Sequence, residues 1–90
     1  MKITLVKKIL KNGDLCPKCR DVEEKLRAGG HLEKIDETVI AHEADPQSAG
    51  MLLAKRYQVD RAPFFIVEQE GKEPVIYTVF MKFLFEVLDD

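Results

Sequence analysis

Leu15-Cys16-Pro17-Lys18-Cys19-Arg20 holds both cysteines of this 90-residue chain, two residues apart with a proline between them. Thiols at that spacing can close a small disulfide, bind a metal, or trade a disulfide with another molecule. An ordinary thiol with a pKa of about 8.5 is only a few per cent ionised at neutral pH, and the thiolate is the reactive form. Reactivity therefore turns on what lies near each sulfur. Asp21 to Ala28 reads as a helix, with Val22 and Leu26 one turn apart and Cys19 continuing their face backwards. Pro17 suits the first turn of that helix, where its missing N–H has no partner to lose. Cys16 then falls at the helix mouth, where free N–H groups and the macrodipole favour an anion by up to about 2 kcal/mol. That is roughly one to one and a half pKa units, enough to bring Cys16 near half ionised at neutral pH. Lys18 and Arg20 add positive charge, either as partner contacts or as plain helix surface. Cys19, one turn further in, is expected to be sheltered and protonated. An exposed, ionised thiol beside a sheltered one suits exchange: the first attacks and the second resolves.

The competing readings are weaker. Closing so short a loop constrains the unfolded chain by only about 2 kcal/mol, a poor staple in a reducing compartment. His31 and His42 are ten residues apart rather than the three to five of common zinc sites, so no metal ligand is assigned. A bridged iron–sulfur cluster using outside thiols is a further minor alternative. Asp14, in the turn Asn12-Gly13-Asp14, is a turn former before it is a proton acceptor for Cys19.

Composition narrows the partners. The chain is 46% hydrophobic and 33% charged, with a net charge of −2, which excludes neither a globule nor an enzyme but argues against nucleic acid or an anionic membrane. Its longest apolar run, Ala62 to Val67, is far short of a membrane span. The first residues carry no signal-peptide pattern, so a cytoplasmic location is expected. Ninety residues make one domain, residues 1–90.

The elements that must position the cysteines follow in order. Ile3 to Val6 reads as a strand, then a basic stretch runs to Leu15. The first helix stops at Gly29-Gly30. Ile35 to Ala41 is a second strand, and Asp45-Pro46 opens a helix from Gln47 to about Tyr57 with Ala49, Leu52, Leu53 and Tyr57 facing inward. Ala62 to Val67 is a third strand, Glu70-Gly71 a hairpin loop, and Val75 to Val79 the return strand, with Pro74 tolerated at an edge. A last helix spans Phe80 to Leu88. Its apolar arc, widened by Met81 and Phe85, is broader than one core face needs, which fits equally a deeply seated helix or a self-association or docking patch, such as a homodimer contact, through those two residues. The order β-α-β-α-β-β-α predicts two parallel crossovers, an antiparallel hairpin, and a four-stranded mixed sheet flanked by three helices. The motif lies after the first strand, at the end where open α/β sheets keep their chemistry.

Cys16-Pro17-Lys18-Cys19, with Tyr57-Gln58-Val59 and Ala62-Pro63-Phe64-Phe65-Ile66-Val67 downstream, resembles the thioredoxin superfamily and its small glutaredoxin-like branch. The resemblance implies a thioredoxin-like, glutaredoxin-type α/β fold and disulfide oxidoreductase activity without a cofactor. Cys16 would be the nucleophile and Cys19 the resolving thiol. Pro63 would be a cis-proline facing them, and Ala62 would hydrogen-bond an extended substrate. Pro17 and Lys18 complete the implied substrate surface. Partners would be a protein or low-molecular-weight disulfide and a reductant, either glutathione or a thioredoxin-reductase-type enzyme. A non-catalytic binding module on the same fold is the alternative. The chain departs from glutathione-binding members at Thr78-Val79-Phe80-Met81, where they carry a Gly-Gly pair and an acid. It departs again at Gly13, where they carry a lysine, and at Lys18, where they carry an aromatic residue.

Overall fold

A computed structural model describes residues 1–88. Strand β1 spans Lys2–Ile9, helix α1 Pro17–Ala28, β2 Glu37–His42, α2 Ala49–Arg56, β3 Phe64–Glu68 and β4 Val75–Tyr77. A short helix α3, Phe80–Phe83, runs into a π-helical turn, Leu84–Leu88, and a 3-10 turn Leu32–Lys34 joins α1 to β2. The sheet order is β2-β1-β3-β4, a four-stranded mixed α/β sheet with helices on both faces.

Alternation along β1 decides what each face holds. Ile3 and Leu5 point to one face, where Val22 and Leu26 of α1 cover them. There Phe65 stacks on Phe83 with ring centroids 3.8 Å apart, and Tyr77 meets Phe83 edge-on. Val6 points to the other face, toward Met51 and Ala54 of α2 and Tyr57 just after it. The last segment needs its π turn because Phe83 and Leu88, five residues apart, are both buried, and the wider turn brings them to one side. Met81 and Phe85, 53% and 62% exposed, stay outside this core.

Three expectations need correction. Strand β1 does not stop at Val6: it runs on to Ile9, and the basic stretch folds into a hairpin closed by the Ile9–Leu15 bridge and by Leu10 N–H on the Asp14 carbonyl. Only the first crossover is parallel. β2 pairs parallel with β1, but β3 pairs antiparallel with it. A parallel return would need the chain after β2 to travel back along the whole sheet, whereas α2 has 8 residues and spans only about 12 Å. β2 leaves the sheet with His42 opposite Ile9, and β3 enters with Phe64 opposite Val6, at the same end. The third correction is the start of α2. Asp45 does not cap it. Its carboxylate accepts the Gln47 N–H in a local turn, and the helix opens after Ser48. Its phase shifts with it, so Gly50 faces the strand and Leu52 faces solvent.

Among the described residues no helix is long and apolar enough to cross a membrane.

Candidate active site

Cys16 occupies the position just before the first residue of α1, with Pro17 in the first turn. Two strands of the hairpin deliver it there: its N–H donates to the Lys8 carbonyl at 2.9 Å, and its own carbonyl accepts the Arg20 N–H at 3.0 Å. It is half-exposed, whereas Cys19 is 1% exposed and packed under the helix. Both are free thiols. Burial alone would raise the Cys16 thiol, but the N–H groups of Cys19 and Lys18, the Cys19 side chain and the charge of Lys8 outweigh it. The net position is below the ordinary thiol value. Cys19 goes the other way. Burial pushes it up to about 11, opposed by a 3.3 Å hydrogen bond from the Lys8 N–H and reinforced by the proximity of Cys16. One four-residue motif thus holds an ionisable sulfur and a protonated one.

A cavity of about 520 Å³ opens beside the motif. Lys18, Ala62 and Pro63 line it together, over an apolar floor that includes Val22, Phe65 and Phe80. The Ala62–Pro63 peptide is cis. Pro17 is not part of this cavity. It lies on another side of α1, in a shallow depression with Arg20, Asp21 and Glu24. The charges around the cavity are largely spoken for: Lys25 pairs with Asp21 at 3.1 Å and Arg61 with Asp60 at 3.7 Å. The loop that carries Ala62 is aimed by Gln58, whose left-handed φ of 57° closes α2 and lets the Val59 N–H reach the Ala54 carbonyl.

The remaining sequence candidates fall elsewhere. Asp14 is an exposed turn residue bonded to Asn12. Tyr57 is half-buried on the α2 face, with the Arg56 guanidinium over its ring. His42 is exposed at the end of β2, its N–H held by Ser48 Oγ, while His31 is half-buried against Gly29. The spacing of the cysteines gave no sign of two ion pairs that β1 makes with other elements. Lys7 pairs with Glu23 at 2.6 Å, and Lys8 with Glu43 at 3.4 Å. Their signal was the Lys7-Lys8 pair itself. Consecutive strand residues must project to opposite faces.

No protein-family model matches the chain, and no curated protein matches it. Among solved structures, the solution structure of a thioredoxin from Thermus thermophilus is similar. The match covers 94% of this chain and 70% of that one, at 23% sequence identity and a TM-score of 0.51. The fold is thioredoxin-like, and the paired cysteines sit at the start of its first helix.

Proposed function

We propose that this chain is a thiol–disulfide oxidoreductase whose working pair is Cys16 and Cys19. The observation that carries the reading is the opposed environment of two sulfurs three positions apart, one below the ordinary thiol value and one near 11. A structural cysteine pair has no need of such asymmetry, whereas exchange does. The Cys16 thiolate attacks one sulfur of a substrate disulfide, forming a mixed disulfide, and the other substrate sulfur leaves with the bonding electrons and takes a proton from water. The Cys19 thiol then passes its proton to water and attacks the Cys16 sulfur of the mixed disulfide. The second substrate sulfur leaves as a thiolate, and two electrons have passed from the dithiol to the substrate. An external thiol reductant restores the pair.

The cavity beside the motif supports a substrate-binding role for Lys18, Ala62 and Pro63. A protein or small-molecule disulfide laid along it would set a polar flank against Lys18. The apolar floor would take a neighbouring side chain.

The pH profile of alkylation tests this reading. Iodoacetamide labelling followed by mass spectrometry is expected to rise first for Cys16, with a midpoint below the ordinary thiol value, while Cys19 stays unlabelled until the pH nears 11. The sign follows from chemistry: a lowered pKa puts more thiolate at any pH beneath it, and a raised one puts less. A Cys16 midpoint at or above about 8.5 favours the non-catalytic binding module.

A further inference from the structure

Four residues of α1 line the cavity beside the motif: Lys18, Asp21, Val22 and Lys25. Their spacing is one stripe down the helix, so the cavity is a groove that starts two residues after Cys16 and follows α1 for about 10 Å. Val22 and Phe65 are buried and form its floor, with Ala62 and Pro63 beside them. Its rim is charged and exposed. Lys18, Lys25 and Arg61 stand there against Asp21 and Asp60, an excess of one cation in a chain whose net charge is −2. The pairs within the rim are loose. Lys25 holds Asp21 across one exposed helical turn, and Arg61 meets Asp60 through a single Nε contact at 3.7 Å that leaves the ends of its guanidinium open. Lys18 has no ion-pair partner among the described residues.

We propose that this groove takes an extended acidic segment of a protein disulfide, with Lys18, Arg61 and Lys25 reading carboxylates close to the half-cystine. This deepens the redox reading, on which it rests, by naming the class of substrate. The length argues for a polypeptide: three extended residues at about 3.3 Å each cover the stretch from Lys18 to Lys25. Successive side chains of such a segment turn to opposite sides, which suits a groove with an apolar floor and a charged rim. The charge argues for acid. A carboxylate arriving at the rim finds one cation without a partner and another whose planar fork can take it through two parallel N–H bonds. A lysine in the same place finds Asp21 and Asp60 already paired and Lys18 facing it with like charge. The rest of the chain is net negative, so an acidic partner is turned away elsewhere and steered to this end of α1.

Exchange with matched peptide disulfides tests the assignment, kcat/KM being read with Glu, Gln or Lys two or three residues from the half-cystine. Glu is expected to exceed Gln by about tenfold at low salt, and Lys to fall below Gln. Salt at about 1 M should shrink the preference to about twofold or less. Lys18→Gln and Arg61→Gln should each cut the Glu-to-Gln ratio by about threefold. Arg20→Gln makes the same charge change on another side of α1 and should leave the ratio as it is. Lys25→Gln should lower it only for Glu at the third position, the far end of the groove. A ratio near one, or an equal loss from Arg20→Gln, overturns the proposal. So does glutathione disulfide exchanged as fast as the Glu peptide, because it offers carboxylates on a chain too short to need the groove. Hydroxyethyl disulfide, small and neutral, separates the two readings. Its exchange through Cys16, with no preference for Glu among the peptides, sinks only this inference. No exchange with any of these disulfides sinks the redox reading, and this inference with it.

Discussion

Replacing Cys16 with serine is expected to take disulfide exchange down to the uncatalysed rate, a loss of about a thousandfold or more. Serine keeps the backbone bonds to Lys8 and Arg20, so the site survives in shape and loses only its ionisable sulfur. A hydroxyl ionises far above any thiol, and the helix mouth cannot close that gap with about 2 kcal/mol. Cys19→Ser is expected to behave differently. The first attack needs only Cys16, so the substrate half still attaches, but nothing inside the protein can expel it. The product is a stable mixed disulfide, visible as a mass increase on Cys16 that dithiothreitol removes. A coloured aromatic disulfide supplies the rate measurement, and the same assay reads both variants. Equal residual rates, or attachment to Cys19 in the Cys16→Ser protein, would reverse the roles assigned here. The expected asymmetry has one structural source: Cys16 is half-exposed at a helix start, while Cys19 is buried beneath it.

That asymmetry was legible in the sequence because its causes are local. A proline after the first cysteine fixes where the helix begins, and the i, i+3, i+7 pattern of Cys19, Val22 and Leu26 fixes which sulfur turns inward. Ala62 and Pro63 were legible only through the resemblance, since nothing in their own neighbourhood says which end of the sheet they occupy. What the sequence hid was set by distant parts of the chain. The antiparallel entry of β3 depends on where the chain leaves α2, a choice no residue in either element records. Lys7 and Lys8 looked like the end of a strand, because two successive charges usually mark solvent. Each in fact finds a carboxylate from another element, Glu23 on α1 and Glu43 after β2. Asp45-Pro46 carried a helix-start signal that was spent locally. Ser48, nearer the true start, gives its Oγ to the His42 N–H rather than to its own helix. Pro17 and Lys18, adjacent in sequence, line different depressions because a helical step of about 100° separates them.

Gly50→Ala is expected to destabilise the protein by about 2–3 kcal/mol, against the direction that helix propensity alone gives. In an exposed helix interior the same change would stabilise by about 1 kcal/mol, since alanine is the better helix former. Position 50 has no room for it. A Cβ there would lie 2.6 Å from Ala41 Cα and closer still to the Ala41 nitrogen and the Ile40 carbonyl carbon. Those are backbone atoms of β2, paired with Lys7 and Lys8 of β1, so they cannot swing aside as a side chain would. The helix must back away instead. Met51, Ala54 and Tyr57 would then lift from Val6, Ala41, Phe64 and Ile66, and the lost contact outweighs the propensity gain. Urea unfolding at unchanged slope reads the difference as a lower midpoint, with exposed Leu52→Ala, within about 0.5 kcal/mol of the parent, as the control on the same helix. A Gly50→Ala midpoint above the parent's would mean that α2 rides higher on the sheet than described here. The consequence reaches the cysteines as well. The end of α2 aims the loop that carries Ala62 and Pro63, and Lys8 lines a small cavity with Ala62 while its carbonyl accepts the Cys16 N–H. Slower exchange per folded molecule in Gly50→Ala therefore follows if the cavity wall and the nucleophile share one support.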